Sequence, residues 1–405
     1  MNKNIKLAVA GAVLALSASA ANAGIIIPAG DWTLDIGGNV NTFATWTRHT
    51  GTASIYGGYE GFVGGANSTS TKTASNITTG LLPNYLSVSG TTRQNDLDVA
   101  FTISINPGSS TTQGGIQTGN LNQENRQAFM TFGDKSWGSI KLGKDLGIFA
   151  GDAILNDMTL LGVGSGAGAL AGNTTTIGRI GTGFIYADWK SQVAYTTPNF
   201  NGFQATIGLT QGWNTRASTS AGSLGTTGRS GSQTAYEGKA SYSFAANDVT
   251  GKVWVSGISQ KIETTTALDE DRAWGADIGA TVSAGNFGLT GYYYSAEGLG
   301  TTIQFLDAYT SAGVQRSSDG GYVQGTYVLP TKTKLGVSWG ESNLDRAGAD
   351  ATTLLKSNEM WAAGLYHPLT KHLNLVAEYA HSTSENHAGA ENKNRTASFG
   401  GILFF

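Results

Sequence analysis

Asp145, Asp152 and Asp157 cluster at the start of the longest polar connection in the chain, and Lys141 and Lys144 directly precede it. Lys239 and Lys252 stand in two later segments that alternate polar and apolar residues. Asp98 and Glu378 stand in similar segments elsewhere. Carboxylates on one side of a water-filled gap and ammonium groups on the other create a transverse field, which sorts the ions that cross it. The expectation is therefore a pore constriction. Asp145, Asp152 and Asp157 form its loop edge, with Lys141, Lys144, Lys239, Lys252, Asp98 and Glu378 on its wall. Asp152 is placed to cap a short helix carrying Ile154, Met158 and Leu161 at helical spacing. That stripe would fix the loop to the inner wall and leave Asp152, Asn156 and Asp157 facing the channel. Lys144 is the weakest wall candidate, because its parity points outward. Summed over all polar-parity strand charges and the charges of the loop, acids outnumber bases, which points to a mild preference for cations. The bland alternative is that loop carboxylates are solvated or only cap.

Other chemistry finds little support. The chain has no cysteine, which removes disulfides, zinc–thiolate sites and thiol nucleophiles. Its five histidines form no His-Glu-x-x-His site, and no Gly-x-Ser-x-Gly elbow occurs. Gly164-Ser-Gly-Ala-Gly-Ala169 lacks the strand–turn–helix setting of a dinucleotide fingerprint. Asp269-Glu-Asp271 does not match an EF-hand spacing. Neither a cofactor nor an enzymatic activity is expected. The formal net charge of -3 argues against nucleic acid as a partner.

The elements that would hold such a constriction are strands. Residues 1–23 read as a secretory signal: Lys3 and Lys6, an apolar stretch from Leu7 to Leu16, and the small-residue site Ala21-Asn-Ala23. The expected mature domain is 24–405. Mean hydropathy is -0.13, so no helical span is expected there. From Trp32 to Trp46 the even positions are mostly apolar and the odd ones mostly polar. This period of two recurs in about sixteen segments. Tight turns, such as Ala245-Ala-Asn-Asp248 and Ser283-Ala-Gly-Asn286, alternate with long polar connections such as 48–83, 145–190, 296–319 and 382–395. Membrane barrels have short turns on one side and long loops on the other in this way. The predicted fold is all-β: a transmembrane, antiparallel, up-and-down barrel of about sixteen strands.

Charge and aromatic placement support that register. A Lys or Arg facing lipid at mid-bilayer costs about 2–4 kcal/mol, so strand charges belong on the wet face. Trp46, Trp274, Trp339 and Trp361 mark one outward belt, and Trp32, Phe203, Phe287 and Phe405 the other. Arg48, Arg126, Arg272 and Arg395 take the lipid-facing parity near the outer boundary. They are candidate contacts for lipopolysaccharide phosphates, since a guanidinium binds phosphate through paired hydrogen bonds.

Four segments carry a resemblance to the Gram-negative general porins, the sixteen-stranded trimeric outer-membrane family. They are Gly80-Leu-Leu-Pro-Asn-Tyr-Leu-Ser87, Arg126 to Gly143, Tyr195-Thr-Thr-Pro-Asn-Phe-Asn-Gly-Phe203, and Gly364 to Tyr379, together with the terminal Phe405. The chain departs from the family at Lys144, where an arginine is common. The resemblance implies a homotrimer in the outer membrane, passive diffusion of small hydrophilic solutes and ions, and a third loop narrowing the pore. Two alternatives stay open: a substrate-preferring channel, for example for organic acids, and a non-conducting barrel whose long loops bind a partner.

Overall fold

A computed structural model describes residues 24–56, 73–109, 123–165, 175–217, 223, 227–263 and 270–405. The predicted signal segment 1–23 lies outside the described residues, as does most of the Gly/Ala-rich run 162–172. Nineteen strands occur among the described residues. They are β1 (Ile25–Ala29), β2 (Trp32–Thr50), β3 (Thr73–Thr78), β4 (Tyr85–Gln94), β5 (Leu97–Pro107), β6 (Gln123–Glu124), β7 (Ala128–Asp134), β8 (Gly138–Leu146), β9 (Trp189–Thr196) and β10 (Phe203–Thr210). The series continues with β11 (Ala235–Ala246), β12 (Val249–Glu263), β13 (Glu270–Ala284), β14 (Phe287–Glu297), β15 (Ser317–Val328), β16 (Lys334–Leu344), β17 (Leu355–Pro368), β18 (Leu373–Asn386) and β19 (Glu391–Phe404).

Sequential strands pair antiparallel throughout, and β19 pairs with β2 from Lys393↔Thr50 to Phe404↔Asn39, which closes the ring. β3 and β4 lie end to end along β2, and β6 and β7 along β5. β1 folds back on the lower part of β2, below the end of β19. Counted as staves, the closed barrel has sixteen. Period-two alternation puts large apolar side chains outside: Val40, Ile77, Ile103, Ile207, Ile278, Val337 and Phe399 are all exposed. The four tryptophans of the outer belt are exposed too.

Turn chemistry fixes the register at the short ends. Asn95 and Asp96 both adopt positive φ between Gln94 and Leu97, the two-residue turn whose twist suits a hairpin. At the other end, several strands run further than the polarity of the sequence indicates. β18 and β19 continue through the predicted loop 382–395 and leave only residues 387–390 as a turn. Polar residues there alternate like a strand because both faces meet water once the wall rises above the lipid.

The stave opposite β2 is interrupted at residues 79–84. Asn39 and Asn41 bridge the break: Asn39 Nδ2 donates to the Pro83 carbonyl (2.9 Å), Asn41 Nδ2 to that of Leu82 (2.9 Å), and Gly80 N–H to Asn41 Oδ1 (2.9 Å). This is the Gly80–Ser87 segment of the sequence resemblance, and a long chain segment from across the barrel docks on it.

Candidate functional site

The described residues of that segment, 147–165 and 175–188, lie inside the barrel. The segment holds helix α1 (Gly151–Leu155), then a 3-10 turn at Met158–Leu161. Fixed points on the wall pin it in sequence. Glu237 on β11 accepts the N–H groups of Ile148 (2.8 Å) and Phe149 (2.9 Å). Ser256 on β12 accepts from Ala150 (3.2 Å), and Gln324 on β15 from Met158 (2.9 Å). Glu378 on β18 accepts from Val163 (2.7 Å) and Gly164 (2.8 Å), and Leu81 N–H donates to the Gly162 carbonyl (2.9 Å). Returning, Gly183 N–H reaches Ser342 Oγ on β16 (2.9 Å). The predicted apolar stripe does meet the wall: Ile154 joins a buried cluster with Phe149 and Tyr322, and Met158 packs with Met360, Ala362 and Ala380.

The charged residues of the expected constriction are arranged differently from the expectation. Asp145 is not on the loop. It is buried near the end of β8, receives Gln127 Nε2 (3.0 Å) and makes a close ion pair with Lys141. Asp152 does not cap α1, because the N-cap is Ala150, in a left-handed conformation with no side-chain cap. Asp152 instead turns to the wall, 4% exposed, and is gripped by Lys239 (3.0 Å) and, more closely, by Lys252. Burial pushes its carboxyl up, but the two ammonium groups outweigh this and hold it below the usual aspartate range. Asp157 caps the 3-10 turn through Thr159 N–H (3.0 Å) and lies 3.8 Å from Arg179 Nε. Neither has any exposed side-chain surface. Burial raises the Asp157 carboxyl and lowers the Arg179 guanidinium. So the three acids do not face a channel. A buried carboxylate with partners at hand is taken up by them rather than by solvent.

On the wall, Glu378 is likewise covered, since Tyr366 Oη donates to it (2.6 Å) beside the two loop amides. Lys144 keeps the outward parity and donates to the Asn125 carbonyl (2.9 Å), so it is not a lumen residue. Asp98 faces inward near the periplasmic mouth and pairs with Arg93 (2.8 Å), which also holds Asp134 (3.1 Å). Lys141, Lys239 and Lys252 remain partly open, their side chains 22%, 28% and 31% exposed. Of the arginines, Arg48, Arg272 and Arg395 are exposed on the outward face, whereas Arg126 is buried. Arg126 bonds Glu124 (3.0 Å) and lies over the Trp189 ring at 5.9 Å. Three residues between β6 and β7, 125–127, escape strand geometry, so parity counted through Arg126 fails.

Several anchoring residues were not singled out from sequence. Lys190 meets Glu237 at 2.6 Å, and Thr210 Oγ1 adds a fourth bond to that carboxylate (2.8 Å). The segment 298–316 also enters the barrel, with Leu299, Phe305 and Tyr309 fully buried and Thr302 accepting Tyr186 N–H (2.8 Å). Arg316 beneath it forms a bidentate pair with Asp350, both bonds 2.7 Å. Their only signal in sequence is a charge inside a loop otherwise rich in apolar residues.

The assembly is a closed barrel with a polar inner wall, narrowed by one loop laid along that wall. Its chemistry is passive: fixed charges and hydrogen-bonding groups beside a path. Comparison with known proteins agrees. No curated protein sequence matches the chain. Among solved structures it is similar to the outer-membrane channel DcaP of Acinetobacter baumannii, with TM-score 0.67, 18% identity, and coverage of 95% of this chain and 100% of that one. It is similar to an anion-selective porin from Comamonas acidovorans, with TM-score 0.58, 12% identity, and coverage of 92% and 100%. It is also similar to the trimer form of OmpT from Vibrio cholerae, with TM-score 0.53, 13% identity, and coverage of 92% and 99%. At these identities the likeness is one of fold. The family model described as Gram-negative porin matches residues 9–387. The chain belongs to the Gram-negative porin family and is an outer-membrane channel for passive diffusion.

Proposed function

We propose that the channel works as a homotrimer, exported by a cleaved signal, and that it favours small hydrophilic anions over cations. One observation carries the selectivity. Lys141, Lys239 and Lys252 keep open surface toward the lumen, while the carboxylates Asp145, Asp152, Asp157 and Glu237 have side chains 0–5% exposed. A count by residue type over all inward charges favours cations; around the inward loop, a count weighted by exposure has the opposite sign, while the acids Asp96 and Asp98, which also keep open surface, lie at the periplasmic mouth. Asp152 neutralises one of its two lysines, so that cluster keeps a net positive charge. Side-chain charge at a narrow point sets ion preference. The test is the reversal potential of reconstituted channels in a potassium chloride gradient. An anion preference is expected, moving toward cations when Lys141, Lys239 and Lys252 are all changed to Gln. A cation preference in the unaltered channel overturns the reading.

A second reading, preference for organic acids, has its own support. Lys239 and Lys252 already hold one carboxylate, that of Asp152, and a carboxylate-bearing solute meets the same donors. Concentration-dependent block of chloride current by a small dicarboxylate, absent with a neutral diol of equal size, would separate it from general anion passage.

A further inference from the structure

The connection between β14 and β15 has neither helix nor strand, yet its segment 299–310 is shut away from water. Leu299, Phe305 and Tyr309 have no exposed surface, and Thr302, Gln304 and Ala308 are nearly as covered. Connections ordinarily run over a surface, because buried backbone needs partners. Here the partners come from other outer connections. Tyr186 N–H, on the returning limb of the inner loop, donates to the Thr302 carbonyl (2.8 Å). Arg216 N–H donates to the Phe305 carbonyl and Asp307 N–H to the Arg216 carbonyl (both 2.9 Å).

The segment is also strained. Phe305 and Asp307 hold φ of 67° and 52°, a left-handed conformation that bulky side chains rarely adopt. Such strain persists only where the surroundings over-determine it, and it gathers at functional places. Arg316 supplies that constraint. It grips Asp350 through two bonds of 2.7 Å, and its Nη1 donates to the carbonyls of Asp307 (2.8 Å) and Tyr309 (3.2 Å). A planar guanidinium can hold a carboxylate and two carbonyls at once, because its five N–H groups point in fixed directions.

The height of the segment follows from register. Asp277 stands opposite Ser256, which anchors Ala150 of the inner loop, and Gly275 is one inward position nearer the outer rim. A Cβ built on Gly275 lies 2.6 Å from Leu299 Cδ1 and 3.1 Å from Phe149 Cζ. The bare glycine makes room for both loops on one spot of the wall. Segment 299–310 therefore stacks on the outer side of the inner loop and takes up part of the cross-section there.

We propose that residues 299–310 form a second constriction, set at the outer entrance and locked by Arg316 and Asp350, which limits the size of solute that reaches Lys239 and Lys252. Asp307 is the one charged residue of the segment, and it is buried. The outer element thus sorts by size and the inner one by charge. The size limit does not depend on which ions the lumen favours.

The test measures each entrance of the full-length channel separately. Single channels are recorded in planar bilayers while polyethylene glycols of graded size are added to one side at a time; a polymer that enters lowers the conductance. The outer side is identified by streptavidin binding to a biotinylated Ala388→Cys, the sole thiol of an otherwise cysteine-free chain. In the native channel the outer entrance is expected to exclude smaller polymers than the periplasmic one. Replacing 301–312 by Gly-Ser-Gly should shift the outer cut-off to larger polymers and leave the periplasmic cut-off and the reversal potential where they were. Asp350→Asn keeps the full segment but loosens its lock, and should shift the outer cut-off the same way by less. An unchanged outer cut-off in these variants overturns the proposal. So does an equal shift on both sides, which would mean that the inner loop had moved. Should the shortened chain fail to fold, Asp350→Asn decides between the same outcomes.

Discussion

Lys190 on β9 and Glu237 on β11 meet at 2.6 Å with no exposed side-chain surface on either. The same carboxylate holds the amides of Ile148 and Phe149, so one residue both neutralises a buried ammonium and fixes the loop at its root. Glu237→Ala strands the Lys190 charge, and breaking a buried pair from one side costs about 3–5 kcal/mol. We expect a clear fall in thermal stability in detergent and noisier single-channel current. Glu237→Gln keeps an acceptor for the amides and should quiet the noise more than it restores the stability. A Glu237→Ala channel of native stability and native noise would contradict this account.

Asp152→Asn releases Lys239 and Lys252 from their shared carboxylate and adds one positive charge to the lumen. The expected result is a reversal potential shifted further toward anions. A shift toward cations would mean that these lysines do not border the ion path.

The same aspartate fixes a pH dependence. Its folded-state pKa lies below the ordinary 3.8. Its anchoring contribution is therefore fully present above that ordinary value and is lost as pH falls through the depressed one. Asp157 has the opposite sign: its carboxyl is raised, so its ionisation weakens the loop as pH rises through the raised value. Current noise recorded on acidification should not rise until the pH falls below the ordinary aspartate value, because protonation of Asp157 only steadies the loop and that of Asp152 comes later. In Asp152→Asn the acid rise should be missing.

Gly162 tests the far anchor. A Cβ built there lies 2.2 Å from Glu378 Oε1 and 2.3 Å from its Cδ, so Gly162→Ala displaces the carboxylate that holds Val163 and Gly164. The variant should resemble Glu378→Gln, with raised conductance or raised noise in both. Agreement between the two traces checks it, and a silent Gly162→Ala would show that the anchor tolerates movement.

Parity made the barrel legible. Alternation, tight turns alternating with long connections, and outward tryptophans are local signals, and each follows from the geometry of a strand in lipid. Parity also tells which face a charge takes, but not what lies over it. Glu378 and Lys239 both face inward, yet Glu378 is covered by amides more than two hundred residues earlier in the chain, while Lys239 keeps open surface. Arg126 failed for a different reason, because the chain leaves strand geometry just before β7 and the count of two breaks with it. Where cover comes from distant residues, or register lapses for a few, single-sequence periodicity holds no information.

The break in the stave beside β2 bears on how the molecule is put together. Within residues 79–84, Leu81 N–H is satisfied by the Gly162 carbonyl, and the Thr79 carbonyl by Thr176 N–H, so the wall there is completed by the inward loop and not by a neighbouring strand. Backbone groups within a membrane wall are paired where they are kept from water. The backbone bonds of that gap are therefore complete only when the loop is in place. Narrowing of the channel is a step in sealing the cylinder, and a chain whose loop is late should stall as an unsealed intermediate rather than emerge as a wider pore.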